Sequence, residues 1–70
     1  MQRQPVSSSN LNSVGYDSVF RVLEIQFNAG GIYQYSGVPQ SEYQGLMNAS
    51  SHGQYFHAHI KNVYPFKKVG

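Results

Sequence analysis

The stretch Leu23-Glu24-Ile25-Gln26-Phe27-Asn28-Ala29-Gly30-Gly31-Ile32-Tyr33-Gln34-Tyr35-Ser36 decides the fold. Leu23, Ile25 and Phe27 alternate with Val22, Glu24 and Gln26. A period of two is the pattern of a strand covered on one face only, and it predicts a strand over residues 19–27. Asn28, Ala29, Gly30 and Gly31 punctuate the chain, and residues 32–36 return as a second strand, so the two form a hairpin. Loop length fixes which side the tyrosines take. An even-numbered loop pairs Phe27 with Ile32 and puts Tyr33 and Tyr35 beside Glu24 and Gln26. A three-residue loop shifts the parity, because a slip of one residue moves every side chain to the other face. Tyr33 and Tyr35 then join Leu23, Ile25 and Phe27, while Gln34 and Ser36 join Glu24 and Gln26. That register separates polar from apolar side chains far better. The paired glycines suit a type I turn closed by a left-handed glycine bulge, which is a three-residue connection.

Working outward, residues 1–9 are polar, rich in serine and glutamine and contain Pro5, so they read as a disordered lead-in to a single domain over residues 10–70. A short strand is expected over residues 10–17, with Val14 and Tyr16 on one side. Beyond Gly37 the period changes. Pro39 and Glu42 favour a helix start, and Tyr43, Leu46 and Met47 form an apolar stripe, giving a helix over residues 39–48. Gly45 weakens it by up to about 1 kcal/mol relative to alanine. Ser51 and Gln54 fit a capping box that opens a second helix, with Phe56 and Ile60 facing inward and Pro65 stopping any continuation. Residues 62–69 read as extended, with the capacity to add an edge strand. The fold class is therefore α+β: a small antiparallel sheet of three to four strands with two short helices packed on one face.

The run Phe27, Gly30-Gly31, Tyr33, Tyr35, Gly37-Val38-Pro39, followed by Ser51, Gly53, Tyr55-Phe56 and Ile60-Lys61, resembles the KTSC domain. This domain occurs at the C-terminus of some lysyl-tRNA synthetases and as a stand-alone bacterial protein. The resemblance covers residues 8 to 68. The family's Y-x-Y is matched by Tyr33-Gln34-Tyr35, and a tyrosine–aspartate pair of the first strand by Tyr16-Asp17. His57 departs from the small polar residue expected there. The family's function is not established; the synthetase association implies RNA binding.

Composition narrows the function classes. Seventy residues allow one domain, and a chain this short buries only about 60% of the surface its unfolded state exposes. There is no cysteine, hence no disulfide and no thiolate metal site, and the composition fits a cytoplasmic compartment. No apolar run approaches the roughly 20 residues of a membrane span. Net charge is only +2, yet three of the five cations, Lys61, Lys67 and Lys68, fall near the C-terminus.

The candidate binding residues are Tyr33, Tyr35, Ser51, Gly53, Lys61, Lys67 and Lys68. Tyr33 and Tyr35 are either a platform on which bases stack or core residues beneath the helices, and the chosen register favours the core. Ser51 and Gly53 sit at a helix start, where free N–H groups hold phosphate, although a plain helix cap also accounts for the serine. The lysines, joined by Arg21 if the fold allows, either track a phosphate backbone or form a solvated edge. His57 and His59 point about 200° apart on a helix, so the three histidines do not converge on a metal. Asp17, Glu24 and Glu42 are the only carboxylates, with Glu24 expected on the solvent face of the sheet. No nucleophile motif or phosphate loop is present, so no catalytic residue and no cofactor is assigned. The expectation is a non-catalytic binding module for RNA, either tRNA or single-stranded. The alternative is a protein-interaction or homodimerising module that offers a sheet edge or an aromatic patch, a version that apolar exposure of Val22 and Ile32 on the open sheet face would favour.

Overall fold

A computed structural model describes residues 1–70. Its elements are β1 (Gln4–Pro5), β2 (Leu11–Asp17), β3 (Val22–Phe27), β4 (Ile32–Ser36), α1 (Gln40–Asn48), α2 (His52–His59) and β5 (Phe66–Lys68). The strands form one antiparallel sheet in the order β1-β2-β3-β4-β5. The class is α+β as expected, with five strands rather than three to four.

The hairpin adopts the odd-numbered register. Leu23 pairs with Tyr35, Ile25 with Tyr33 and Gln26 with Ile32. The Phe27 N–H donates to the Gly31 carbonyl, and the Gly30 N–H donates back to the Phe27 carbonyl. Gly30 and Gly31 have φ of 109° and 93°, a region that L side chains rarely enter and glycine enters freely. Directly paired residues point to the same side, so Leu23, Ile25, Tyr33 and Tyr35 face the helices together.

In β2, Leu11 pairs with Phe27 but Ser13 already pairs with Gln26, leaving Asn12 as the extra residue of a bulge. The bulge lets Leu11 and Val14, three positions apart, both point into the core. The fully buried side chains are Leu11, Val14, Leu23, Ile25, Val38, Leu46 and Ile60. α1 adds Leu46, with Tyr43 stacked on Tyr16 at 4.8 Å and 8°. The Tyr16 hydroxyl donates to the Val38 carbonyl (2.6 Å), and burial raises its pKa above the usual phenol value.

Several boundaries differ from expectation. β3 begins at Val22, not Val19, because Asp17 Oδ1 accepts from the Val19 and Phe20 amides (2.9 and 3.1 Å) and folds residues 18–21 into a turn. Arg21 takes φ 56° there. The second helix stops before Pro65 acts: Asn62, at φ 65°, turns the chain into the left-handed region. Ser51 does cap that helix, accepting from the Gln54 amide at 3.2 Å.

The disordered lead-in is corrected. Gln4 and Pro5 pair with Val14 and Ser13 as β1, and the arm runs across the polar face of the sheet. Arg3 donates from Nε to Ser13 Oγ (3.0 Å), from Nη1 to Glu24 Oε2, and from Nη2 to Gln26 Oε1 (3.3 Å). Gln34 Nε2 donates to the other Glu24 oxygen at 2.8 Å. Glu24 was expected in solvent; it lies on the open face but is only 6% exposed, because the arm covers it. Its burial alone raises the carboxyl pKa, but the hydrogen bonds from Gln34 and Arg3 and the Arg3 charge outweigh that and hold it below the usual range. Gly15 permits the close approach: a Cβ there would lie 2.5 Å from the Gln2 carbonyl oxygen.

Candidate ligand-binding site

Where β3, β4, β5 and α2 meet, five aromatic rings form a closed circuit. Phe27 meets Tyr33 edge-on at 5.6 Å, and Tyr33 meets Phe66 at 5.7 Å. Phe66 meets Tyr35 at 5.6 Å, Tyr35 meets Phe56 at 5.5 Å, and Phe56 returns to Phe27 at 5.3 Å. Each spacing lies within the 4.5–7 Å range favoured by aromatic pairs, so every ring is braced by two neighbours. The circuit walls an open pocket of about 420 Å³. Asn10, Ala29, Gly30, His57, Lys61 and Asn62 complete its wall.

Local rules build this arrangement. The odd-numbered hairpin loop places Tyr33 and Tyr35 on the inner face, and the Gly30–Gly31 bulge opens the end of the hairpin over the pocket. β5 pairs Phe66 with Tyr35 and Lys68 with Tyr33, which puts both on the pocket side. The α2 stripe delivers Phe56 from above, and the left-handed turn at Asn62 leaves Lys61 at the mouth. Tyr35 is 5% exposed, so it is a core residue whose outer edge forms the pocket floor. Burial pushes its phenol up to about 12, and the neighbouring Tyr33 adds to the effect. Tyr33 is half-buried, and Phe66, 60% exposed, forms the lip.

The expected site residues therefore separate. Tyr33, Tyr35 and Lys61 come together in the pocket. A flat stacking platform of two exposed tyrosines is excluded, because the Tyr35 ring is wedged between Phe56 and Phe66. Ser51 and Gly53 line a neighbouring polar depression with Ser9, Gln54 and Ala58, and Asn10 and His57 border both hollows. Lys68 lies along Gly31 on the pocket side. Lys67 pairs with Gln34 and faces the opposite side of the sheet, so it does not join the set. Arg21 sits in the β2–β3 turn, away from the pocket-lining residues. Sequence reasoning treated Phe27 and Phe56 as core only and missed Phe66, Asn10 and Asn62. The parity of residues 66–68 carried the signal for Phe66, but only once the pairing partner of β5 is known.

None of the three carboxylates lines the pocket. Glu24 is held by Arg3, and Asp17 caps its turn. Glu42 accepts from the Tyr55 hydroxyl at 2.8 Å, a hydrogen bond that raises the Tyr55 pKa, with burial adding to it. The histidines are dispersed. His52 Nδ1 lies 2.8 Å from the Leu46 carbonyl, His59 stacks on Tyr55 at 4.2 Å, and His57 stands at the pocket rim. No helix is long and apolar enough to cross a membrane.

The KTSC domain family model matches residues 7–64. The chain belongs to the KTSC domain family. A crystal structure of a KTSC domain protein from Yersinia pestis superposes with a TM-score of 0.96 at 51% identity, covering 99% of this chain and 97% of that one. An uncharacterized protein of Stutzerimonas stutzeri is 39% identical over 61 residues, spanning 87% of this KTSC domain and 86% of that protein. A lysine–tRNA ligase of Trichormus variabilis is 37% identical over 54 residues, which is 77% of this chain but 10% of the ligase. The KTSC domain thus recurs both as nearly the whole of small proteins and as a minor segment of much larger ones.

Proposed function

We propose that this KTSC domain is a non-catalytic binding module for single-stranded RNA, acting in the cytoplasm, with the ring-walled pocket as its contact surface. The observation that carries the reading is the closed aromatic circuit opening beside Lys61 and His57 with no carboxylate in its wall. Aromatic side chains take up unpaired bases, and nearby cations neutralise the phosphates that accompany them. Lys68, on the same face, extends the cationic side toward the β3–β4 loop. The likeness to a segment of lysine–tRNA ligases fits this reading without carrying it.

The protein-partner alternative rests on a sheet edge or an aromatic patch, and an apolar open sheet face would favour it. That face is instead centred on Glu24, Ser13 and Gln26 beneath the Arg3 arm, and Val22 and Ile32 are only partly exposed. That face therefore lends the alternative little support.

The test is a fluorescence-anisotropy titration of labelled single-stranded RNA and of tRNA at low salt. Weak binding that declines steeply as salt rises is the expected result. Absence of binding to both at low salt would falsify the reading.

A further inference from the structure

We propose that the pocket takes in one nucleobase at a time, inserted edge-first between the rings, with its phosphate held outside at Lys61. The inference rests on the RNA reading and makes it specific: the contact is insertion into a hole, not stacking on a flat sheet.

Four observations converge on a planar, negatively accompanied ligand. The first is shape. Five rings in mutual contact line an open hollow of about 420 Å³, within the range of pockets that bury small ligands, with the exposed Phe66 at its lip. The second is wall chemistry. Rings alone would suit any apolar group, but two amide-bearing residues, Asn10 and Asn62, are also among those that line the hollow. An amide offers both donor and acceptor, matching the mixed edge of a base and serving no purpose for an alkyl chain. The third is charge. Aromatic cages that hold alkylammonium groups rely on attraction between a cation and ring faces. Here Lys61 stands in the wall and no carboxylate does, so a cationic ligand is repelled and an anionic one attracted. The fourth is the mouth. Lys61 is exposed and lies just beyond the C-terminal end of α2, where its ammonium reaches solvent beside the pocket.

Insertion also explains the divided roles of the tyrosines. Tyr35 is too buried to stack on anything that lies across the surface, yet its outer edge meets whatever enters the hollow. Phe66, by contrast, is exposed on a three-residue strand that an occupant would cover.

A free mononucleotide and one nucleotide of an RNA chain share this chemistry, and a peptide bearing an exposed aromatic side chain is the competing occupant. The experiment uses the full chain and three probes: nucleoside monophosphates, a short single-stranded RNA, and an abasic RNA of the same length. Binding is followed by anisotropy and by shifts of the aromatic side-chain resonances. The expected result is that monophosphates at millimolar concentration move the resonances of Phe27, Tyr33 and Phe66. The abasic RNA should bind about 5- to 150-fold more weakly than the RNA with bases, the span of one stacked base. Phe66→Ala should lose affinity for the base-bearing RNA and leave the abasic RNA unaffected. Lys61→Ala, at an exposed position that the core does not need, should weaken both RNAs and reduce the salt dependence.

Equal binding of abasic and base-bearing RNA, with ring resonances unmoved, overturns the insertion and leaves RNA binding by the lysines intact. Ring shifts with monophosphates but no binding of any RNA overturns the RNA reading and leaves the pocket assignment standing, with a free nucleotide as its ligand. Ring shifts with a tryptophan-bearing peptide and none with nucleotides overturns both. Phe66→Ala is accepted as a test only with an amide spectrum matching the parent, and Phe66→Leu, which keeps the apolar lip without the ring, is the second variant.

Discussion

Arg3→Ala is the sharpest test of the architecture. The Arg3 side chain is 25% exposed and that of its partner Glu24 only 8%. Removing Arg3 leaves Glu24 nearly enclosed, with Gln34 as its remaining side-chain donor. Breaking a fully buried ion pair by deleting one partner costs about 3–5 kcal/mol. An exposed pair contributes at most about 1 kcal/mol. Here the carboxylate is near the buried limit and the guanidinium partly in water, so the expected loss is about 2 kcal/mol. For a domain of this size that lowers the melting temperature by roughly 8–16 °C. The pH dependence adds a sign. Glu24 is held below the usual carboxylate value of 4.5, so its contribution is complete above that pH and is lost as pH falls through the folded-state value. In Arg3→Ala, burial continues to raise the Glu24 pKa while the Arg3 hydrogen bond and charge are gone, so the acid decline begins at higher pH than in the parent. The assay is thermal unfolding by circular dichroism from neutral pH downward, with Glu24→Gln and the double variant completing a cycle. A melting temperature within two degrees of the parent (about 0.3–0.5 kcal/mol) together with an unchanged acid limb refutes the arm as a structural element.

Gly45→Ala should destabilise by about 1–2 kcal/mol although alanine is the better helix former by about 1 kcal/mol, because the added Cβ would fall inside the Tyr55 hydroxyl and 2.6 Å from its ring carbon Cζ; chemical denaturation reads this directly, and a stabilised variant refutes the packing. Ser51→Ala removes the one side-chain cap of α2 and should cost about 1 kcal/mol in the same assay, with amide shifts concentrated at the start of that helix. In an alkaline titration followed by phenolate absorbance, Tyr35 should remain protonated well above pH 10. Its raised pKa means that the stability linked to it is intact below 10 and declines as pH rises through about 12. Complete ionisation of all tyrosines near 10 in the folded state contradicts the buried ring.

The hairpin was legible because two independent signals agree. Alternation in residues 22–27 demands one apolar face, and the Gly30–Gly31 pair permits the odd-numbered loop that keeps Tyr33 and Tyr35 on it. Ser51 as a cap and Phe56 and Ile60 as the inward stripe were legible for the same reason, since capping and helical spacing act within a few residues. The start of β3 was misread because Val19 and Phe20 look like strand residues, while the competing Asp17 side chain diverts their amides into a turn. The pocket was half legible: Tyr33, Tyr35 and Lys61 were named, Phe66 was not, and Lys67 was grouped with Lys61 and Lys68 although its pairing with Gln34 turns it to the opposite face.

What the amino-acid order determined unaided is local: the odd hairpin, the two helix positions, the apolar and polar faces. These follow from periods and turn chemistry that each residue expresses with its near neighbours. Only the tertiary structure decided that residues 4–5 close one edge of the sheet, that Arg3 seals Glu24, and that β5 brings Phe66 to complete a ring of five aromatics. Those contacts join residues far apart in the chain, as Arg3 with Glu24 and Tyr33 with Phe66, and depend on which edge each terminal strand finds. A single residue of slip in β5 would send Phe66 to the other face and open the circuit, and no local pattern in Phe66-Lys67-Lys68 forbids it.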